Sequence, residues 1–93
     1  MSVTVSLPGA LRPVAGGAAR VTLDAPGATV GDVLGALFAR HPALRDRVVT
    51  ELGQVRVHVN VFVGAESIRL GQGLATPVAD GDVVSILPAV SGG

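Results

Sequence analysis

The chain has 93 residues, 48% hydrophobic and 15% charged, with seven basic and seven acidic side chains in balance. This composition predicts one compact domain with a single core and excludes disorder. No apolar run approaches the roughly 20 residues that span a bilayer, and no cysteine is available for disulfides. Met1-Ser2-Val3-Thr4 lacks the basic and apolar regions of a signal peptide, so the cytoplasm is the expected compartment.

Every basic residue is an arginine, and apart from Arg45 and Arg47 they are scattered. There is no basic stripe to neutralise phosphates, and only Phe38 and Phe62 could stack on bases. Nucleic acid is therefore excluded as a partner. The absence of lysine fits a coding bias towards Ala, Gly, Val and Arg. It also leaves the chain without a side-chain amine or thiol to capture an activated acyl group.

The first predicted element is Val3-Thr4-Val5-Ser6-Leu7, whose alternation marks a half-buried strand. Pro8-Gly9 ends it, and a long turn runs to Gly16-Gly17. Arg20-Val21-Thr22-Leu23 alternates again, which predicts a hairpin with a generous loop. Asp24-Ala25-Pro26-Gly27 has turn chemistry. Thr29 then caps a helix, with Asp32 placed to answer it in a capping box. Val30, Val33, Leu34, Leu37 and Phe38 form one stripe of 3.6-residue period, and His41-Pro42 stops the helix. Gly31 and Gly35 inside it either allow a close approach or reflect composition alone.

Pro42 opens a short second helix pinned by Leu44 and Val48, and Gly53 closes that segment. From Val55 to Val63 every odd position is valine, which predicts one long strand. A short strand is expected at Ile68-Arg69-Leu70. After Gly71-Gln72-Gly73 and the Asp80-Gly81-Asp82 turn, Val83 to Leu87 form the last strand. It ends at Pro88, which has no amide donor and a fixed φ.

One main helix and four or five strands bury their apolar faces only if the helix lies across one sheet face. The crossover through the helix brings the last strand parallel to the first. The predicted fold is α+β, a ubiquitin-like β-grasp of residues 1–87 with a flexible tail at 88–93. Its core is Val3, Val5, Leu7, Val59, Val61, Val63, Val84 and Ile86 against Val33, Leu34, Leu37 and Phe38. Parity then places His58, Asn60, Phe62, Val83, Ser85 and Leu87 on the outer face. Phe62 and Leu87 become an exposed apolar pair and a candidate partner-docking patch.

The tail Pro88-Ala89-Val90-Ser91-Gly92-Gly93 has little apolar mass to pack down and ends in two residues without side chains. Together with Val59-Asn60-Val61 and Leu74…Ala79-Asp80-Gly81-Asp82-Val83…Ile86-Leu87, it resembles the ThiS/MoaD family of sulfur carriers. The likeness covers essentially the whole chain. Within the family it is nearest the actinobacterial cysteine-biosynthesis type, to judge from Val3-Thr4-Val5-Ser6, Leu11-Arg12-Pro13 and Leu74-Ala75-Thr76.

The resemblance implies the following chemistry. A terminal carboxylate, with an ordinary pKa of about 3.5, is ionised and a poor electrophile. An E1-like enzyme using ATP adenylates Gly93, and sulfur then displaces AMP to leave a thiocarboxylate. Gly92 serves by having no β-carbon in a narrow channel. From Pro88 to Gly93 the chain reaches roughly 20 Å when extended, enough to thread a partner's site. A PLP-dependent cysteine synthase, or another sulfur-incorporating enzyme, takes up the sulfur. A JAMM-type, zinc-dependent metallopeptidase then releases the cysteine formed on the diglycine end. ATP, PLP and zinc belong to these partners, and the carrier is a protein co-substrate rather than an enzyme.

No intrinsic chemistry competes with this expectation. His41 and His58 sit on different kinds of element, without an acidic pair to complete a metal site. Gly71-Gln72-Gly73 lacks the remainder of a phosphate-binding fingerprint, and no nucleophile elbow is present. Two other readings share the tail. One is a modifier joined to lysines of other proteins through Gly93, and the other is the small subunit of a molybdopterin synthase.

Overall fold

A computed structural model describes residues 2–24 and 29–88. Most of the turn expected at 24–27, and the tail residues 89–93, lie outside the described residues. β1 (Ser2–Ser6) and β2 (Arg20–Asp24) pair antiparallel from Ser2↔Asp24 to Ser6↔Arg20. Their inward residues Val3, Val5, Val21 and Leu23 are all buried, as the alternation requires. The loop between them contains two short 3-10 turns. It doubles back where Gly16 and Gly17 take φ of 68° and 89°, values that favour glycine.

α1 (Val30–Arg40) carries the expected capping box. The Asp32 amide donates to Thr29 Oγ1 at 3.2 Å, and the Thr29 amide donates to Asp32 Oδ2 at 3.3 Å. The helix is fastened at both ends. The Val30 amide donates to the Thr76 carbonyl at 2.9 Å, and Arg40 donates to the Thr22 carbonyl of β2 at 2.9 Å. Gly31 has a purpose, since an added Cβ would meet the Leu74 carbonyl oxygen at 3.2 Å. At Gly35 the same Cβ would meet nothing within 4 Å. α2 (Arg45–Val48) follows a 3-10 turn, with Leu44 and Val48 fully buried.

The long strand expected from Val55 is broken. Only β3 (Val59–Val63) is strand, while Val55 makes an isolated bridge to Val49. The Val59 amide turns back to the Arg56 carbonyl at 3.0 Å, and Val57 is 84% exposed. One guanidinium nitrogen of Arg69 gathers the carbonyls of Arg56, Val57 and Val59 at 2.9, 3.1 and 2.7 Å. Those oxygens are held by a side chain instead of a ladder, so the valine pattern continues without a strand. The short strand expected at Ile68–Leu70 is a 3-10 turn, and the strand falls earlier, at β4 (Glu66–Ser67).

β5 (Val83–Pro88) enters from a tight turn at Asp80–Asp82, where Gly81 has φ of 84°. That turn is locked onto the start of β1. The Ser2 amide donates to Asp80 Oδ1 at 2.8 Å, and the Gly81 amide donates to the Ser2 carbonyl at 2.7 Å. The lock sets β5 parallel to β1, with Val5↔Val84 in register. The sheet order is β2-β1-β5-β3-β4, a mixed β-grasp sheet with the last strand central. Of the expected core residues, Val63 and Phe38 are only partly buried and pack against its edge; the others are buried. Each large side chain fully buried there contributes roughly 1.5–3 kcal/mol before entropy is charged against it.

Candidate functional site

The site is built on the exit of β5. On one side β5 pairs antiparallel with β3, through Val61↔Ile86, Asn60↔Leu87 and Val59↔Pro88. Pro88, placed by the sequence pattern at the start of the tail, thus belongs to the last strand and lies beside Val59. From there the chain continues into Ala89, Val90, Ser91, Gly92 and Gly93, all outside the described residues.

The register places Phe62 and Leu87 on the same outer face of the sheet, in diagonal positions. Phe62 stands opposite Ser85, and Leu87 opposite Asn60. Diagonal neighbours on adjacent strands are roughly 7–8 Å apart, within reach of an aromatic ring. Leu87 is 44% exposed, whereas Phe62 is half-buried, a correction to the expected exposed pair. The ring lines a cleft with Ala65, Ser67 and Leu70, so the β4 hairpin shelters one side of it.

Val83, 36% exposed, lies two residues before Ser85 and therefore diagonal to Phe62 on its other side. The apolar surface is a triangle of Val83, Phe62 and Leu87 around Ser85. Parity alone assigned Val83 to this face, but the register was needed to place it beside Phe62. The rest of the outer face is polar, with Thr4 and Thr22 paired across β1 and β2.

His58 is exposed at the entry to β3, and His41 is half-buried at the C-terminal cap of α1. Among the described residues, no three His, Cys, Asp or Glu side chains gather closely enough to hold a metal ion. Among the same described residues, no helix is long and apolar enough to cross a membrane. What the described structure offers is a strand that ends at Pro88 beside an apolar triangle.

A five-stranded sheet with a helix across one face, and its last strand central and leading to the C-terminus, defines a ubiquitin-like β-grasp protein. The ThiS family model matches residues 5–93. The sulfur carrier protein CysO of Mycobacterium tuberculosis is 44% identical over 95 residues, covering 100% of both chains. A chain in the crystal structure of the Amycolatopsis orientalis BexX/CysO complex superposes with a TM-score of 0.84 at 41% identity, covering 98% of this chain and 99% of that one. The small archaeal modifier protein SAMP1 of Haloferax volcanii superposes equally well, with a TM-score of 0.84 at 39% identity and 100% of both chains covered. The chain belongs to the ThiS family and is a sulfur carrier.

Proposed function

We propose that this chain carries sulfur as a thiocarboxylate on Gly93 and acts as a protein co-substrate in the cytoplasm. The observation that carries this reading is the full-length similarity to CysO, a protein named as a sulfur carrier. In the first step a Gly93 carboxylate oxygen attacks the α-phosphorus of ATP on an E1-like partner, and pyrophosphate leaves. In the second, a sulfur nucleophile attacks the acyl carbon and AMP leaves, giving the thiocarboxylate. The chain supplies the acyl group and the means of presenting it, with no catalytic side chain. Pro88 ends the ladder, residues 89–92 cross the partner's channel, and the absence of β-carbons at Gly92 and Gly93 keeps them narrow.

The triangle of Val83, Phe62 and Leu87 is the surface on which the partner rests while the tail is inserted. Apolar groups grouped on an otherwise polar sheet face are the kind of patch that marks such contacts. The acceptor we favour is a PLP-dependent cysteine synthase, followed by a JAMM-type metallopeptidase. The similarity to CysO supports that pathway, and the A. orientalis BexX/CysO complex supports docking on a partner protein.

Intact-mass measurement after incubation with an activating enzyme, ATP and sulfide tests the reading. One oxygen should be exchanged for sulfur, within the C-terminal peptide, and deleting Gly93 should abolish the exchange without unfolding the domain. An unchanged mass with a competent activator would sink it. The similarity to SAMP1 favours a second reading, conjugation to other proteins. In that case the same incubation, with cell extract added, would yield isopeptides on lysines of other proteins.

A further inference from the structure

The two neighbours of β5 do not accompany it equally far. β1 pairs with it only from Thr4↔Val83 to Ser6↔Ser85, whereas β3 continues to Val59↔Pro88. Pro8 has no amide to extend the parallel ladder, and the chain swings into a 3-10 turn at Gly9–Leu11. The divergence opens a groove of about 210 Å³ beside the end of β5, lined by Pro8, Leu11, Arg47, His58, Leu87 and Pro88 among others. It is smaller than the roughly 300–1,000 Å³ usual for small-molecule sites, and suits a short chain segment with small side chains.

Its charge is one-sided. Among the described residues, Arg47 and His58 line it and no acidic side chain does. Arg12, Arg40, Arg56 and Arg69 each donate to backbone carbonyls, but Arg47 has no hydrogen-bond or ion-pair partner among the described residues. Arg20 and Arg45 are also without one, and neither lines the groove.

We infer that this groove receives the chain's own residues 89–93, with the Gly93 carboxylate against Arg47 and His58. Pro88 is both the root of that segment and part of the groove wall, so the occupant is tethered at the rim. Five residues reach roughly 17 Å, ample to turn back into a groove that begins where they do. Ala89 and Val90 supply small apolar side chains for the walls, and a guanidinium is well matched to a terminal carboxylate. The docked end is a resting state that a partner must displace before the tail can enter its channel. The inference needs only a carboxylate at Gly93 and is independent of the sulfur chemistry.

The absence of lysine makes a clean test possible. In Arg47→Lys the introduced amine is the only one on a side chain, and Arg45→Lys puts the same amine two residues away on α2, outside the groove. A water-soluble carbodiimide activates Gly93 without any enzyme. The amine attacks the acyl carbon, the urea leaves with one carboxylate oxygen, and an amide forms with net loss of water. Peptide mapping should find the Gly93 amide roughly tenfold more often in Arg47→Lys than in Arg45→Lys, because the docked geometry raises effective concentration. In parallel, amide NMR shifts of the unmodified chain and of a chain ending at Pro88 should differ at Ala10, Leu11, Arg47 and His58. Equal yields in the two variants, or shift differences confined to 86–88, would overturn the inference.

Discussion

Ile86 and Leu87 are consecutive residues of one strand, yet Ile86 is 1% exposed and Leu87 is 44% exposed. The same contrast runs across the whole sheet. On the inner face Val3, Val5, Val61 and Val84 share one buried cluster with Leu34 and Leu37 of α1. On the outer face serines, threonines and one asparagine surround the triangle of Val83, Phe62 and Leu87. The inner face stores the stability, and the outer face is where we propose that a partner docks. Because strand side chains alternate, the central β5 serves both purposes with successive residues.

Substitutions on the two faces should therefore separate stability from recognition. The largest effect is expected for Ile86→Ala, which should cost about 2–5 kcal/mol in urea unfolding, the usual range for a buried aliphatic truncated to alanine. A cost below about 1 kcal/mol would mean that the inner face is not the tightly packed one. Next comes Arg69→Ala, which takes the side-chain donor away from three carbonyls around the entry to β3, leaving only that of Arg56 with the Val59 amide. Allowing for the exposure of Arg69, about 1–2 kcal/mol is expected, with the largest NMR shift changes at 56–59.

The helix provides a smaller version of the comparison, between a glycine that faces a neighbour and one that faces solvent. Gly35→Ala should stabilise by about 0.5–1 kcal/mol, through helix propensity in open space. Gly31→Ala should forfeit that gain against the Leu74 carbonyl and melt below Gly35→Ala in a thermal scan. The smallest stability effect belongs to Leu87→Ala, within about 0.5 kcal/mol of the parent chain. Its consequence should appear in titrations with the activating enzyme, as roughly tenfold weaker binding, the loss expected on removing one central apolar contact. Unchanged affinity would move the docking surface away from this face.

Much of the fold was legible because its signals are local. Thr29 and Asp32 lie within one helical turn, so their capping box needs nothing else to form. The hairpin, the main helix and the last strand follow from period and punctuation alone. The errors share one physical cause. The valine run from 55 to 63 has the period of a strand, but Arg69 reaches its carbonyls from up to thirteen residues away and holds the first part as a turn. Gly31 was undecidable for the same reason, since its neighbour Leu74 is distant in sequence. Arg47, His58 and Pro8 carry no motif, and only the parting of β1 from β5 brings them together.

The chain pattern by itself determined the family, the order of elements, the inner face and the glycine-terminated tail. Each rests on residue types at short spacing or at the end of the chain. Tertiary structure decided where the strand at 55–63 truly begins, that Pro88 is still in the sheet, and that Val83 completes the triangle with Phe62. It also decided that β1 leaves β5 one turn early, because Pro8 cannot continue the ladder. The register of β3 on β5 joins residues 21 to 29 apart, and the parting of β1 from β5 involves partners 79 apart, so no local pattern encodes either.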